Sequence, residues 1–144
     1  MEGIGIFIYN DLSEYKGEFK SDNIEGYGIY YDKLRPIYEG EWKNNKREGY
    51  GTFFLTSGEE YKGEWKNDKK EGYGIIYFPN GDKYEGEFKQ NIYNGYGTFY
   101  SILGFKYKKC FKPILSTKIL ILIYKIILFF YDIYSLIKKN SIFI

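Results

Sequence analysis

A six-residue motif returns through this chain at a fixed interval, as Tyr15-Lys-Gly-Glu-Phe-Lys, Tyr38-Glu-Gly-Glu-Trp-Lys, Tyr61-Lys-Gly-Glu-Trp-Lys and Tyr84-Glu-Gly-Glu-Phe-Lys, with a period of 23 residues. A degenerate fifth start falls at Tyr107. Self-similarity at this length is the signature of a repeat architecture, in which each unit buries its apolar face only against its neighbours. Eleven residues after each opening tyrosine comes a second block, Gly26-Tyr-Gly28, Gly49-Tyr-Gly51, Gly72-Tyr-Gly74 and Gly95-Tyr-Gly97. Gly3-Ile-Gly5 fits the same block one period earlier, so the chain opens halfway through a repeat. The array reads as a half repeat over 2–14 and full repeats over 15–37, 38–60, 61–83 and 84–106.

Within a unit, Tyr15, Gly17 and Phe19 alternate with Lys16, Glu18 and Lys20. Period two is the pattern of a half-buried β-strand, with rings on one face and charges on the other. The polar stretches Asn44-Asn-Lys-Arg-Glu48 and Asn67-Asp-Lys-Lys-Glu71 suit hairpin loops, and Thr56-Ser-Gly58-Glu and Pro79-Asn-Gly81-Asp suit turns into the next unit. Asp32-Lys-Leu-Arg-Pro36 occupies the corresponding place without a glycine. The expected fold is mainly β: an elongated single-layer antiparallel meander of hairpins. Glycine weakens a strand, so its recurrence needs a reason. The reason expected is that a ring on one strand lies across bare backbone on the next.

The pattern resembles the MORN (membrane occupation and recognition nexus) repeat family, over roughly residues 2–107. The aromatic and glycine positions of that family fall on Tyr15, Gly17, Phe19, Gly26 and Gly28, and on Tyr38, Gly40, Trp42, Gly49 and Gly51. They recur on Tyr61, Gly63, Trp65, Gly72 and Gly74, and on Tyr84, Gly86, Phe88, Gly95 and Gly97. The resemblance implies a binding or scaffolding module: membrane-junction tethers, cytoskeletal or ciliary scaffolds, or regulatory segments of phosphatidylinositol phosphate kinases and of a lysine methyltransferase. The last unit degrades after Tyr100, where the array is expected to end.

The remainder, 108–144, has different physics. No glycine follows Gly104, and from Lys108 onward 7 Lys face a single Asp, whereas through Tyr107 there are 14 Lys+Arg against 18 Asp+Glu. The run Ile114 to Ile137 reads as a basic hydrophobic α-helix, with Lys118, Lys125, Asp132 and Lys139 on one side. Three fates fit such a helix: packing along the repeats, lying in a membrane interface, or spanning a bilayer as a tail anchor.

Chemistry is narrowed by what the chain lacks. With zero histidines, imidazole acid–base catalysis and His-ligated metal sites are excluded, and the lone Cys110 forms no intramolecular disulfide. An open ribbon offers no pocket in which a carboxyl could be tuned, so no catalytic, cofactor or metal site is expected. Candidate lipid contacts are Lys46, Arg47, Lys69 and Lys70, read as loop cations, with Lys108, Lys109 and Lys112 beyond the array. The ladder of Glu18, Glu41, Glu64 and Glu87 could meet a cationic partner or simply keep a face solvated. The net negative array argues against nucleic acid despite its stacked rings. The expectation is a cytoplasmic, non-catalytic scaffold, at a membrane surface or the cytoskeleton, binding a protein, an anionic membrane, or both, with no small-molecule substrate. Two alternatives stand beside it: a detached regulatory segment of a larger enzyme such as a lipid kinase, and a tail-anchored tether.

Overall fold

The computed structural model describes residues 2–111. They form one ten-stranded antiparallel sheet in which every strand pairs with its neighbour in sequence. In chain order the strands are β1 (Gly3–Ile8), β2 (Glu14–Lys20), β3 (Asn23–Asp32), β4 (Arg35–Lys43), β5 (Lys46–Phe54), β6 (Glu60–Lys66), β7 (Lys69–Tyr77), β8 (Lys83–Lys89), β9 (Ile92–Tyr100) and β10 (Lys106–Phe111). The even strands β2 to β8 carry the Tyr-x-Gly-x-Phe/Trp block, and the odd strands β3 to β9 carry the Gly-Tyr-Gly block.

The sheet runs past the last full repeat. The sheet does not stop after Tyr100: β10 pairs with β9 from Lys106↔Tyr100 to Phe111↔Gly95, because Tyr107 and Phe111 still supply the opening positions of a unit. Residues 108–111 are therefore strand rather than the start of the basic tail. The C-terminal helix read over Ile114 to Ile137 lies outside the described residues.

The hairpin loops are tighter than their polar sequences suggest. Lys46, Arg47 and Glu48 belong to β5, and only Asn44 and Asn45 turn, with φ of 49° and 63°. Two central residues at positive φ make the two-residue hairpin turn whose twist matches the flanking strands. Ser21–Asp22, Asn67–Asp68 and Gln90–Asn91 repeat it with nearly the same angles. Lys33 and Leu34 do so as well, at 46° and 69°, which explains how the link from β3 to β4 manages without a glycine. The other links are five-residue loops closed by paired backbone bonds, as in Leu55 N–H to the Glu59 carbonyl at 2.9 Å and Gly58 N–H to the Leu55 carbonyl at 3.1 Å.

All the rings of the core lie on one face. Tyr15, Phe19, Tyr38, Tyr61, Trp65, Tyr84 and Phe88 are buried although the described residues form a single layer, and these rings cover one another. Edge-to-face pairs run without a break from Tyr15–Trp42 (5.4 Å between centroids) through Tyr38–Trp42 (5.0 Å), Tyr38–Trp65 (5.4 Å), Tyr61–Trp65 (5.3 Å), Tyr61–Phe88 (5.1 Å) and Tyr84–Phe88 (5.5 Å) to Tyr84–Phe111 (5.7 Å). Each such pair contributes about 0.5–1.5 kcal/mol beyond the area it buries. Each tyrosine thus touches the Trp or Phe of its own strand and that of the next repeat, so this face is one aromatic zipper.

Candidate functional site: the aromatic face and its hollow

Each zipper tyrosine lies across the backbone of the following strand, as the recurring glycines require. A Cβ at Gly51 would meet the Tyr38 hydroxyl and come within 2.5 Å of Cζ, and one at Gly40 would stand 2.5 Å from the Gly51 Cα. Gly17, Gly63 and Gly86 face Gly28, Gly74 and Gly97 in the same register. The tyrosine hydroxyls donate back to their own strand: Tyr15 to the Glu18 carbonyl at 3.3 Å, Tyr38 to that of Glu41 at 3.0 Å and Tyr61 to that of Glu64 at 2.9 Å. Trp42 and Trp65 donate their indole N–H to the carbonyls of Gly28 and Gly51, both at 3.2 Å. Burial disfavours the phenolate, so the Tyr15 and Tyr84 hydroxyls are pushed up to about 12 and those of Tyr38 and Tyr61 are raised as well.

The second glycine set has a different task. Between Gly40 and Trp42 the register slips by a bulge against β5, where Gly49 takes φ of 65°. The Glu41 carboxylate folds over that bulge and accepts the Tyr50 N–H at 2.9 Å. Glu18, Glu64 and Glu87 do the same for Tyr27, Tyr73 and Tyr96 at 3.0, 2.8 and 3.2 Å, beside Gly26, Gly72 and Gly95. The glutamate ladder is therefore a row of backbone caps. A second row, Glu25, Glu48 and Glu71, reaches into the next repeat to accept the first turn amides of Asn44, Asn67 and Gln90 at 3.0, 2.9 and 3.0 Å. In the reverse direction Asn45, Asp68 and Asn91 accept the N–H of Ile24, Arg47 and Lys70 at 2.8, 3.0 and 2.8 Å.

The bulge also redirects two cations. Beyond it Arg47 stands opposite Trp42 and Lys70 opposite Trp65, on the aromatic face rather than in a loop. Arg47 lies 4.3 Å from the Trp65 ring centroid, 5.1 Å from Phe53 and 5.6 Å from Tyr38. Lys70 sits 4.6 Å over Tyr61, and burial lowers its ammonium below the ordinary lysine range. Lys46 and Lys69 stay exposed at the turn edge, Lys108 and Lys109 are exposed on β10, and Lys112 lies outside the described residues. Of the four cations read as one loop edge, the fold keeps Lys46 and Lys69 there and turns Arg47 and Lys70 onto the aromatic face.

On the aromatic face the zipper leaves a hollow of about 380 Å³, lined by Tyr30, Ile37, Tyr38, Trp42, Arg47 and Phe53 among others. Its lining is apolar apart from phenol hydroxyls, Asn45 and one charge, Arg47. Among the described residues no group of three or more Cys, Asp or Glu side chains is placed to hold a metal ion. The opposite face is built from tied ion pairs and half-exposed rings, such as Lys62–Glu60 at 3.0 Å and Tyr73, whose hydroxyl donates to Glu85 at 2.8 Å.

Comparison with family models decides what this architecture is. The MORN repeat model matches residues 15–33, 38–60, 61–83 and 84–102. The chain belongs to the MORN repeat family. The four matches coincide with the four units that open at Tyr15, Tyr38, Tyr61 and Tyr84, and β1 and β10 extend the MORN sheet by a strand on either side. No curated protein matches the chain.

Proposed function

We propose that this MORN array is a non-catalytic docking scaffold that receives a segment of a protein partner on its aromatic face. The observation that carries the reading is the hollow beside Trp42 and Phe53, a concave apolar site of about 380 Å³ on a surface made rigid by ring-to-ring packing. Binding sites are characteristically concave and apolar with few polar groups, and rigidity lowers the ordering cost of binding. The test is affinity capture with the full chain bearing Ile37→Asp in the hollow or Tyr96→Asp on the opposite face. A partner lost with the first and kept with the second supports the reading; the reverse pattern assigns docking to the other face and refutes it.

A second reading rests on the turn edge. Lys20, Lys43, Lys46, Lys66, Lys69 and Lys89 are exposed there and have no carboxylate partner among the described residues. Each cation near an anionic membrane contributes about 1 kcal/mol. Glu48 shares this edge with Lys43 and Lys46, and its carboxylate is tied to a turn amide, which dilutes the field. Flotation of the full chain with anionic vesicles, compared with a variant reversing Lys43, Lys46, Lys66 and Lys69 to Glu, separates this reading from attachment through the tail. Loss of flotation in the variant assigns binding to the turn edge; retention removes it.

A further inference from the structure

Arg47 interrupts the periodicity of the aromatic face. The same position holds Ile24 one repeat earlier, and Lys70 and Tyr93 in the repeats that follow. Its guanidinium is fixed from several sides. Trp65, Phe53 and Tyr38 surround its plane, Nε donates to Asp68 Oδ1 at 3.1 Å, and Nη2 donates to the Asp68 carbonyl at 3.1 Å. That leaves Nη1 with no hydrogen-bond acceptor among the described residues, on a side chain that lines the hollow. A guanidinium held in this way has already lost its rotamer freedom. It presents its remaining N–H groups as a pre-organised receptor for an oxyanion.

Resting on the docking reading above, we infer that the hollow selects a peptide segment that inserts an aromatic or aliphatic side chain beside a carboxylate, the carboxylate accepting from Arg47 Nη1. The rest of the lining, Ile24, Ile37, Trp42 and Phe53 above all, offers surface for the apolar part of such a segment and no second cation. Asp68 faces the guanidinium from the neighbouring turn and offsets part of its charge, and the array as a whole carries 14 Lys+Arg against 18 Asp+Glu. Both facts disfavour a polyanion. The partner chemistry they leave is a mainly apolar segment with a single acidic group, recognised by geometry more than by field.

The probe is a displayed library of random dodecapeptides, selected on the immobilised full chain. Winning peptides are then measured by fluorescence anisotropy beside their Asp→Asn or Glu→Gln forms, against the wild-type chain and Arg47→Met. A charge-assisted hydrogen bond corresponds to a loss of about tenfold or more when its acceptor is made neutral. The expected result is winners with an acidic residue next to an apolar one, that loss against wild type, and no further loss against Arg47→Met. Arg47→Lys keeps the charge and loses the fork, so it shows an intermediate loss and serves as the readout should Arg47→Met fail to fold. Winners without a carboxylate, or an amide exchange that costs the same against both chains, overturn this inference and leave the docking reading intact. A library that yields no binder sensitive to Ile37→Asp overturns both.

Discussion

Gly51→Ala is the substitution that most directly tests the ring-over-glycine packing. A Cβ there would stand 2.5 Å from Tyr38 Cζ and 2.7 Å from Cε2, about an ångström inside ordinary contact. The Tyr38 ring cannot swing aside freely, because it is 1% exposed and wedged between Trp42 at 5.0 Å and Trp65 at 5.4 Å. Displacing it loses two edge-to-face pairs at about 0.5–1.5 kcal/mol each. It also loses the hydrogen bond to the Glu41 carbonyl, about 1 kcal/mol, and part of the ring's burial, about 1–2 kcal/mol. The expected cost is about 3–6 kcal/mol. Without the clash the same change would stabilise by about 0.4–1 kcal/mol, by restricting the unfolded chain. Urea unfolding of wild type, Gly51→Ala, Tyr38→Leu and the double variant forms a cycle in which the leucine background removes at least half of the Gly51→Ala cost. A cost below about 1 kcal/mol, or one that is unchanged in the leucine background, would refute the packing argument.

Three further outcomes follow from the geometry. Glu41→Ala strips the cap from the Tyr50 amide, costs about 1–2 kcal/mol, and accelerates hydrogen exchange at Tyr50 more than at Tyr73, whose own cap on Glu64 is untouched. Changing Lys33–Leu34 to Asn–Gly stabilises the fold by about 1–2 kcal/mol in a thermal melt, because both residues hold positive φ, at 46° and 69°, and Leu34 is 81% exposed with little packing to lose. Alkali unfolds the array steeply between about pH 10 and 12. The zipper tyrosines Tyr15 and Tyr84 have folded values of about 12 against an ordinary 10.0, so above pH 10 the unfolded chain sheds protons that the folded one keeps. Stability is then fully present below pH 10 and falls by about 1.4 kcal/mol per pH unit for each such tyrosine. Urea midpoints that stay flat from pH 9 to about 11.5 contradict this.

Period and alternation were enough to read the strand order, the aromatic face and the reason for Gly28, Gly51, Gly74 and Gly97, since these depend on side-chain size and spacing alone. The role of Glu41 and its equivalents was not legible. A carboxylate on the charged side of an alternating strand looks solvated, and only the bulge beside Gly49 brings it over the Tyr50 amide. The same bulge hid Arg47. Lys46, Arg47 and Glu48 read as loop because they are polar, but the register slip turns the middle residue onto the rings, where its stem and guanidinium plane pack as an apolar side chain does. The hollow was invisible for a related reason: a cavity depends on which rings fail to meet, and periodicity describes only those that do.

The bonds that hold one turn to the next carry a consequence for how such a scaffold changes length. Glu25 to Asn44 and Glu48 to Asn67 each join residues 19 apart, and Asn45 to Ile24 and Asp68 to Arg47 each join residues 21 apart. The backbone caps of these seams are therefore made in the same way. Duplicating or excising one 23-residue unit breaks one seam and remakes one with the same backbone caps, leaving the two ends of the sheet as they were. Two strands at about 4.8 Å each make the increment about 10 Å. The array is in effect a ruler graduated in fixed steps, whose length can be reset by whole units.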